Sequence, residues 1–237
     1  MHRTIEPAIL YFGTPVVLIS TRNEDETVNV APNSSIWWLG WSAMLGLDGT
    51  SKTTENLSRT GECVLNLASD GMAPSVNRIA MLTGSDPVPL HKRFLGYQHC
   101  KDKLGQSGLS TRPSETISTP RIDPCLVQLE AKVKHRHAFA RGGVDDIGVP
   151  CTAFELAITR IHVDDSLLLE GKPHHVDPDK WHPLIMSFRQ FYTTHGRIGS
   201  SRLAQGSESL YAPWKAPAPV RVLNRAVFSW FNRRHRP

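Results

Sequence analysis

The sequence lacks any apolar stretch long enough to cross a bilayer. Its longest, Ile36 to Leu47, is twelve residues and contains Ser42, against about 20 for a spanning helix. The N-terminal MHRTIEPAILYFG has no apolar core followed by a small-residue cleavage site, so export is not expected. Cysteine is scarce: Cys63, Cys100, Cys125 and Cys151 are the four in 237 residues, and no two form a CxxC pair. That excludes a zinc ribbon, a thioredoxin-like site and a disulfide scaffold, and makes the cytoplasm the expected compartment. No GxGxxG follows a strand pattern, so a Rossmann site is not supported. Acids are missing from Ala212 to Pro237, which holds Lys215, Arg221, Arg225, Arg233, Arg234 and Arg236. Taking those six charges from the net +5 leaves the rest of the chain at −1. The body therefore has no basic stripe of the kind a nucleic-acid reader shows.

What is present is an ordinary globular composition, 40% hydrophobic and 21% charged, which rules out disorder for the whole chain. Val16 to Ser20 reads as a buried strand. The polar Thr21 to Glu26 reads as a turn and Thr27 to Ala31 as the returning strand, stopped by Pro32. Ile36–Leu39 and Ala43–Leu47 are two more strands split by Gly40, and Asp48-Gly49 is a turn. Thr53 or Thr54 is placed as the N-cap of a short helix that Gly61 ends. Cys63–Leu67 is a strand, and Pro74–Leu82 has helical spacing. Residues 83–124 are rich in Gly, Pro, Ser and Thr and read as surface. Leu126–Val133 and Phe154–Val163 alternate as strands. The pattern predicts a mainly β fold, a barrel with small helical insertions. The main domain is placed at residues 1–203 and a basic appendage at 204–237.

Two stretches have the chemistry of a ligand site. Ser51, Lys52, Thr53 and Thr54 put three hydroxyls and an ammonium at a helix start, where free N–H groups and the dipole attract an anion. The alternative is a solvated turn with an ordinary cap. Gly46 to Thr53 misses a P-loop by one residue, Ser51 standing where the second Gly belongs. In Asn33-Ser34-Ser35-Ile36-Trp37-Trp38, small polar residues allow backbone N–H groups to approach a planar ring, and indoles can wall it. The alternative is a loop leading into a buried strand.

With APNSSIWWLG, SKTTENL, GECVLNL and HVDPDKWHPLIMSFRQFY in that order, the chain resembles the flavin reductase-like proteins of the FMN-binding split-barrel superfamily. The resemblance runs from about Leu10 to Leu203. It implies a Greek-key-like split barrel, a homodimer with FMN between subunits, and hydride transfer from NADH or NADPH to the flavin. It also implies that Asn33, Ser34, Ser35 and Ile36 line the isoalloxazine. Ser51, Lys52, Thr53 and Thr54 would hold the phosphate, with Asn56 nearby. Many members carry a Gly-Asp-His tripeptide near the nicotinamide, and this sequence has none. An FMN-binding electron carrier without its own reductase activity is therefore the competing reading, and a barrel that has lost its flavin is a third.

Arg189 is a candidate bidentate partner for a phosphate or carboxylate, or one half of an interface salt bridge. His135 and His137 share a strand face, and His174, His175 and Asp177 cluster in sequence. No third ligand is placed beside either group, and Lys134 and Arg136 repel a cation, so no metal site is assigned. In the tail, Val220, Leu223, Val227, Trp230 and Phe231 fall on one helical stripe. That stripe reads as a helix on the body, an unstructured tail or a membrane-surface contact.

Overall fold

The computed structural model describes residues 1–140, 148–199, 201, 219 and 222. The chain divides into two compact units, Met1–His195 and Gly196–Pro237, and every element named below belongs to the first. The helical stripe expected from Val220 to Phe231 lies outside the described residues, apart from Val222.

The first half builds β1 (Phe12–Pro15), β2 (Val17–Arg22), β3 (Val28–Asn33), β4 (Ile36–Leu39), β5 (Ser42–Asp48), α1 (Lys52–Thr60), β6 (Glu62–Leu67) and α2 (Ala73–Ile79). The middle, expected to be plain surface, folds into β7 (Leu82–Thr83), α3 (Leu90–Phe94), β8 (Gln98–His99), α4 (Lys103–Ser107), β9 (Thr111–Arg112) and β10 (Arg121–Ile122). It contributes buried Thr83, Lys103, Ser107 and Ile122. Two long strands follow, β11 (Val127–Phe139) and β12 (Cys151–Val163), and then β13 (Leu168–Leu169), β14 (Lys172–Val176), β15 (Ile185–Ser187) and β16 (Gln190–Tyr192).

The main sheet has seven strands in the order β3-β2-β6-β11-β12-β5-β4, with every neighbouring pair antiparallel. This is the mainly β barrel that the strand pattern predicts. Its interior is filled by alternate residues, among them Val17, Ile19, Leu45, Leu65, Phe154 and Leu156. A second cluster lies on the other face of β2, where Val16 and Leu18 meet Val76 and Ile79 of α2 and Leu184. Because β2 is covered on both sides, its sequence is a continuous apolar run rather than an alternation. A separate three-stranded sheet, β1-β15-β16, ties the N-terminal segment to the residues around 185.

Helix α1 is capped by Ser51, whose Oγ accepts from the Thr54 amide, two or three residues before the expected Thr53 or Thr54. It ends at Gly61, where the backbone takes φ 68° and the amide closes on the Leu57 carbonyl. That left-handed residue turns the chain straight into β6 without a Cβ clash.

Candidate functional site

A cleft of about 620 Å³ opens between the end of β5, the start of α1 and the segment that runs from α2 to α4. Of the sequence-predicted residues it brings together Asn33, Ser35, Ser51, Lys52 and Thr53. Asn33 and Ser35 sit beside Gly46, and Ser51 to Thr53 follow Asp48. Gly46 and Asp48 are two residues apart on β5, about 7 Å along a strand, so the two groups form neighbouring halves of one cleft.

The loop half is tightly determined. The Ser35 amide donates to Asn33 Oδ1 at 2.7 Å, and Asn33 Nδ2 donates to the Gly46 carbonyl at 3.1 Å. The Gly46 amide donates back to the Ser35 carbonyl at 2.8 Å. The Ser35 N–H is thus already spent, and this loop offers the cleft its Ser35 hydroxyl instead. That hydroxyl lies 2.5 Å from the Tyr11 hydroxyl, and Tyr11 also lines the cleft.

The helix half is more selective than the composition of its sequence indicates. Ser51 Oγ donates to Thr54 Oγ1, and Thr54 Oγ1 donates to the Asp48 carbonyl, so both hydroxyls serve the cap. Thr53 is buried, and its Oγ1 accepts from Asn29 Nδ2 at 3.2 Å. That leaves the Thr53 proton for a ligand in the cleft. The amides of Lys52 and Thr53 precede the first intrahelical donor, the Glu55 amide that bonds the Ser51 carbonyl, and are donors without a helical partner.

Five sequence-predicted residues lie off the cleft wall. Ser34 is half-buried in the loop between Asn33 and Ser35. Ile36 is 5% exposed and packs into the barrel core. Thr54 faces a shallower hollow on the far side of α1. Asn56 is fully buried and donates to Thr21 Oγ1 and Asn23 Oδ1, tying α1 to the β2–β3 hairpin. Arg189 sits exposed at the β15–β16 turn with φ 67°. The tryptophans do not wall the cleft either: Trp37 is 56% exposed, and Trp38 packs against the barrel core.

The structure adds residues that the sequence pattern did not single out. Lys92 and Lys103 line the cleft beside the expected Lys52. Lys52 pairs with Glu55 at 2.5 Å and Lys92 with Asp48 at 3.2 Å. Lys103 is 3% exposed and has no ion pair or hydrogen bond from its ammonium among the described residues. Burial, with a smaller contribution from the Lys92 charge, pulls its pKa down to about 8, against an opposing effect from Cys100. Asp48 is held at about 2: burial works against the charge, and hydrogen bonds from His91 and Thr50, with the Lys92 ammonium, outweigh it. His91 Nε2 lies 2.8 Å from Asp48 Oδ2, so α3 is clasped to the end of β5. Lys103 opens α4, which Asp102 caps by accepting from the Gly105 amide and Gly108 closes in a left-handed conformation.

The cleft is therefore lined by three lysines and the first residues of α1, and by a small-residue loop whose Ser35 hydroxyl meets that of Tyr11. Residues 9–195 match the family model described as the flavin reductase like domain. An uncharacterized protein of Bacillus subtilis (strain 168), YdfE, is 34% identical over 199 residues, covering 84% of this chain and 92% of its own. Among solved structures, flavoredoxin of Desulfovibrio vulgaris (Miyazaki F) superposes with a TM-score of 0.69 at 18% identity, covering 87% of this chain and 100% of that one. The 2-nitrobenzoate 2-nitroreductase of Pseudomonas fluorescens superposes with a TM-score of 0.62 at 19% identity, covering 79% and 84%. At these identities the two structures share the split-barrel fold with this chain.

Proposed function

The chain belongs to the flavin reductase like family, and on that premise we propose that it is an FMN-dependent oxidoreductase drawing hydride from NADH or NADPH. The observation that supports it most is Lys103, 3% exposed and without an ion pair among the described residues, lining the same cleft as Ser51, Lys52 and Thr53 at the start of α1. An unpaired buried charge is costly unless a ligand neutralises it. A phosphate monoester fits: it accepts from the Lys103 and Lys52 ammoniums, the Thr53 hydroxyl and the first free amides of α1. The small residues Asn33, Ser35 and Gly46 then leave room for a flat ring.

FMN, when bound, accepts the hydride and so carries the redox chemistry, while the protein supplies position and electrostatics. Lys103 and Lys52 fix the phosphate, which sets how far the ring reaches along the cleft. The Asp48–His91–Lys92 clasp holds α3 against the end of β5 as part of the cleft wall. No side chain has to act as acid or base for hydride transfer between stacked rings.

The missing Gly-Asp-His tripeptide favours a second reading, an FMN-binding electron carrier with no nicotinamide reaction of its own. Anaerobic mixing of the FMN-loaded protein with NADH and with NADPH separates the two. Bleaching of the visible flavin band is expected under the first reading. A yellow protein that neither nucleotide bleaches supports the carrier. A homodimer is part of the proposal: Trp37, Leu39 and Phe139 are 56%, 76% and 60% exposed, more large apolar surface than a lone subunit normally leaves in water. Sedimentation at micromolar concentration is expected to give twice the 26.4 kDa chain mass.

A further inference from the structure

Tyr11 lies outside the seven-stranded barrel, yet it reaches the cleft. Its backbone is anchored in the small sheet: the Phe188 amide donates to the Tyr11 carbonyl at 3.0 Å, and the next residue, Phe12, stacks edge-on against Phe188 with ring centroids 4.7 Å apart. Its hydroxyl lies 2.5 Å from Ser35 Oγ, 24 residues away in sequence. Ser35 is fixed at both ends of its own backbone, by Asn33 Oδ1 and by the Gly46 amide. The hydroxyl pair is therefore held by two separate parts of the fold.

Two hydroxyls carry two protons, and the hydrogen bond between them uses one. The phenol is the more acidic group and so the better donor, which puts the shared proton on Tyr11 and makes Ser35 Oγ the acceptor. The Ser35 proton has no acceptor among the described residues, and Ser35 lines the cleft. Accepting from Tyr11 polarises the Ser35 O–H and strengthens it as a donor.

We infer that Tyr11 is a positioning residue: it aims and polarises the Ser35 hydroxyl as a fixed donor to the ring of a flavin bound in the cleft. The inference rests on the FMN reading and goes beyond it by giving the N-terminal strand a part in tuning the cofactor. A donor fixed before the reaction favours the ring more as it gains negative charge on reduction. Tyr11 therefore favours reduced over oxidised FMN.

The test is an anaerobic titration of oxidised and dithionite-reduced FMN into the wild type, Tyr11→Phe, Ser35→Ala and the double variant. Tyr11→Phe is expected to weaken reduced FMN by about three- to tenfold, the scale of one polar hydrogen bond, and oxidised FMN by less than about twofold. In the Ser35→Ala background the same change is expected to add nothing, because Tyr11 acts through Ser35. No change on Tyr11→Phe, an equal loss for both redox states, or a shift that persists without Ser35 overturns the role of Tyr11 and leaves the FMN site standing. A wild-type protein that binds neither form overturns the FMN site as well.

Discussion

Under the proposed function, Lys103 is expected to set both the stability and the anion affinity of the cleft, with opposite signs. Replacing it by Met removes an unpaired buried charge, so the flavin-free protein is expected to gain thermal stability. The same change is expected to weaken FMN by about 1.5–3 kcal/mol, the value of a charge-assisted hydrogen bond. Because the free ammonium titrates at about 8, FMN affinity is expected to fall as pH rises through 8, and Lys103→Met is expected to abolish that step. Isothermal titration across pH 7–9 reads both. Lys52→Ala is expected to cost less, since Lys52 already pairs with Glu55. Its position depends on Gly84, where an added Cβ would lie 2.8 Å from Asn29 Oδ1 and 3.2 Å from Lys52 Cγ. Gly84→Ala is thus expected to displace the Lys52 stem and lower FMN affinity with the barrel intact by circular dichroism. At this scale the sequence was partly legible. Asn33, Ser35, Ser51, Lys52 and Thr53 line the cleft, but a consecutive run cannot all face one way. Successive strand residues point to opposite faces, which sends Ile36 into the core beside Ser35. Thr54 turns away from Thr53 because helical neighbours lie about 100° apart.

Among the elements, the barrel strands were the most legible because their apolar periodicity is local. The run at β2, the alternation of β5 and β12 and the left-handed Gly61 stop each record their own burial. The middle segment was not legible, since its short elements are fixed by distant partners. The loop around Glu115 and Thr116 is one case. The carboxylate of Glu130, fully buried on β11, accepts from the amides of both residues, from the Thr116 hydroxyl and from His162 Nε2 at 2.7 Å. Burial opposes the Glu130 charge, but the Thr116 hydroxyl, the Glu115 amide, His162 and the Thr116 amide outweigh it and hold its pKa at about 2. With a folded pKa below the ordinary 4.5, the carboxylate stabilises the fold above that ordinary value. That contribution, about 2–3 kcal/mol at most, is lost as pH falls from there towards 2. Glu130→Gln is expected to be less stable at pH 7 and to lose the acid-dependent step between about pH 4.5 and 2. Denaturant unfolding at stepped pH measures both.

Across the whole molecule, the cleft is assembled from residues between Tyr11 and Cys151, so its completeness is a matter of topology rather than of any one motif. Neighbouring walls come from the N-terminal segment, the β3–β4 loop, α1 and the α2–α4 stretch, and no window of sequence spans them. That is why Ser51, Lys52 and Thr53 could be singled out from one short run as candidates that now line the cleft, while Tyr11, His91, Lys92 and Lys103 could not. Among the described residues, every one that lines the cleft precedes residue 152. Deleting residues 220–237 is therefore expected to leave flavin content unchanged, read as the ratio of flavin to protein absorbance. The most direct test of the central claim, a cleft built to hold a flavin by its phosphate, is a parallel fluorescence titration of the protein with FMN and with riboflavin. Binding of FMN at least about tenfold tighter than riboflavin is predicted, the scale of one charge-assisted contact, and equal affinities, or no binding of either, would contradict it.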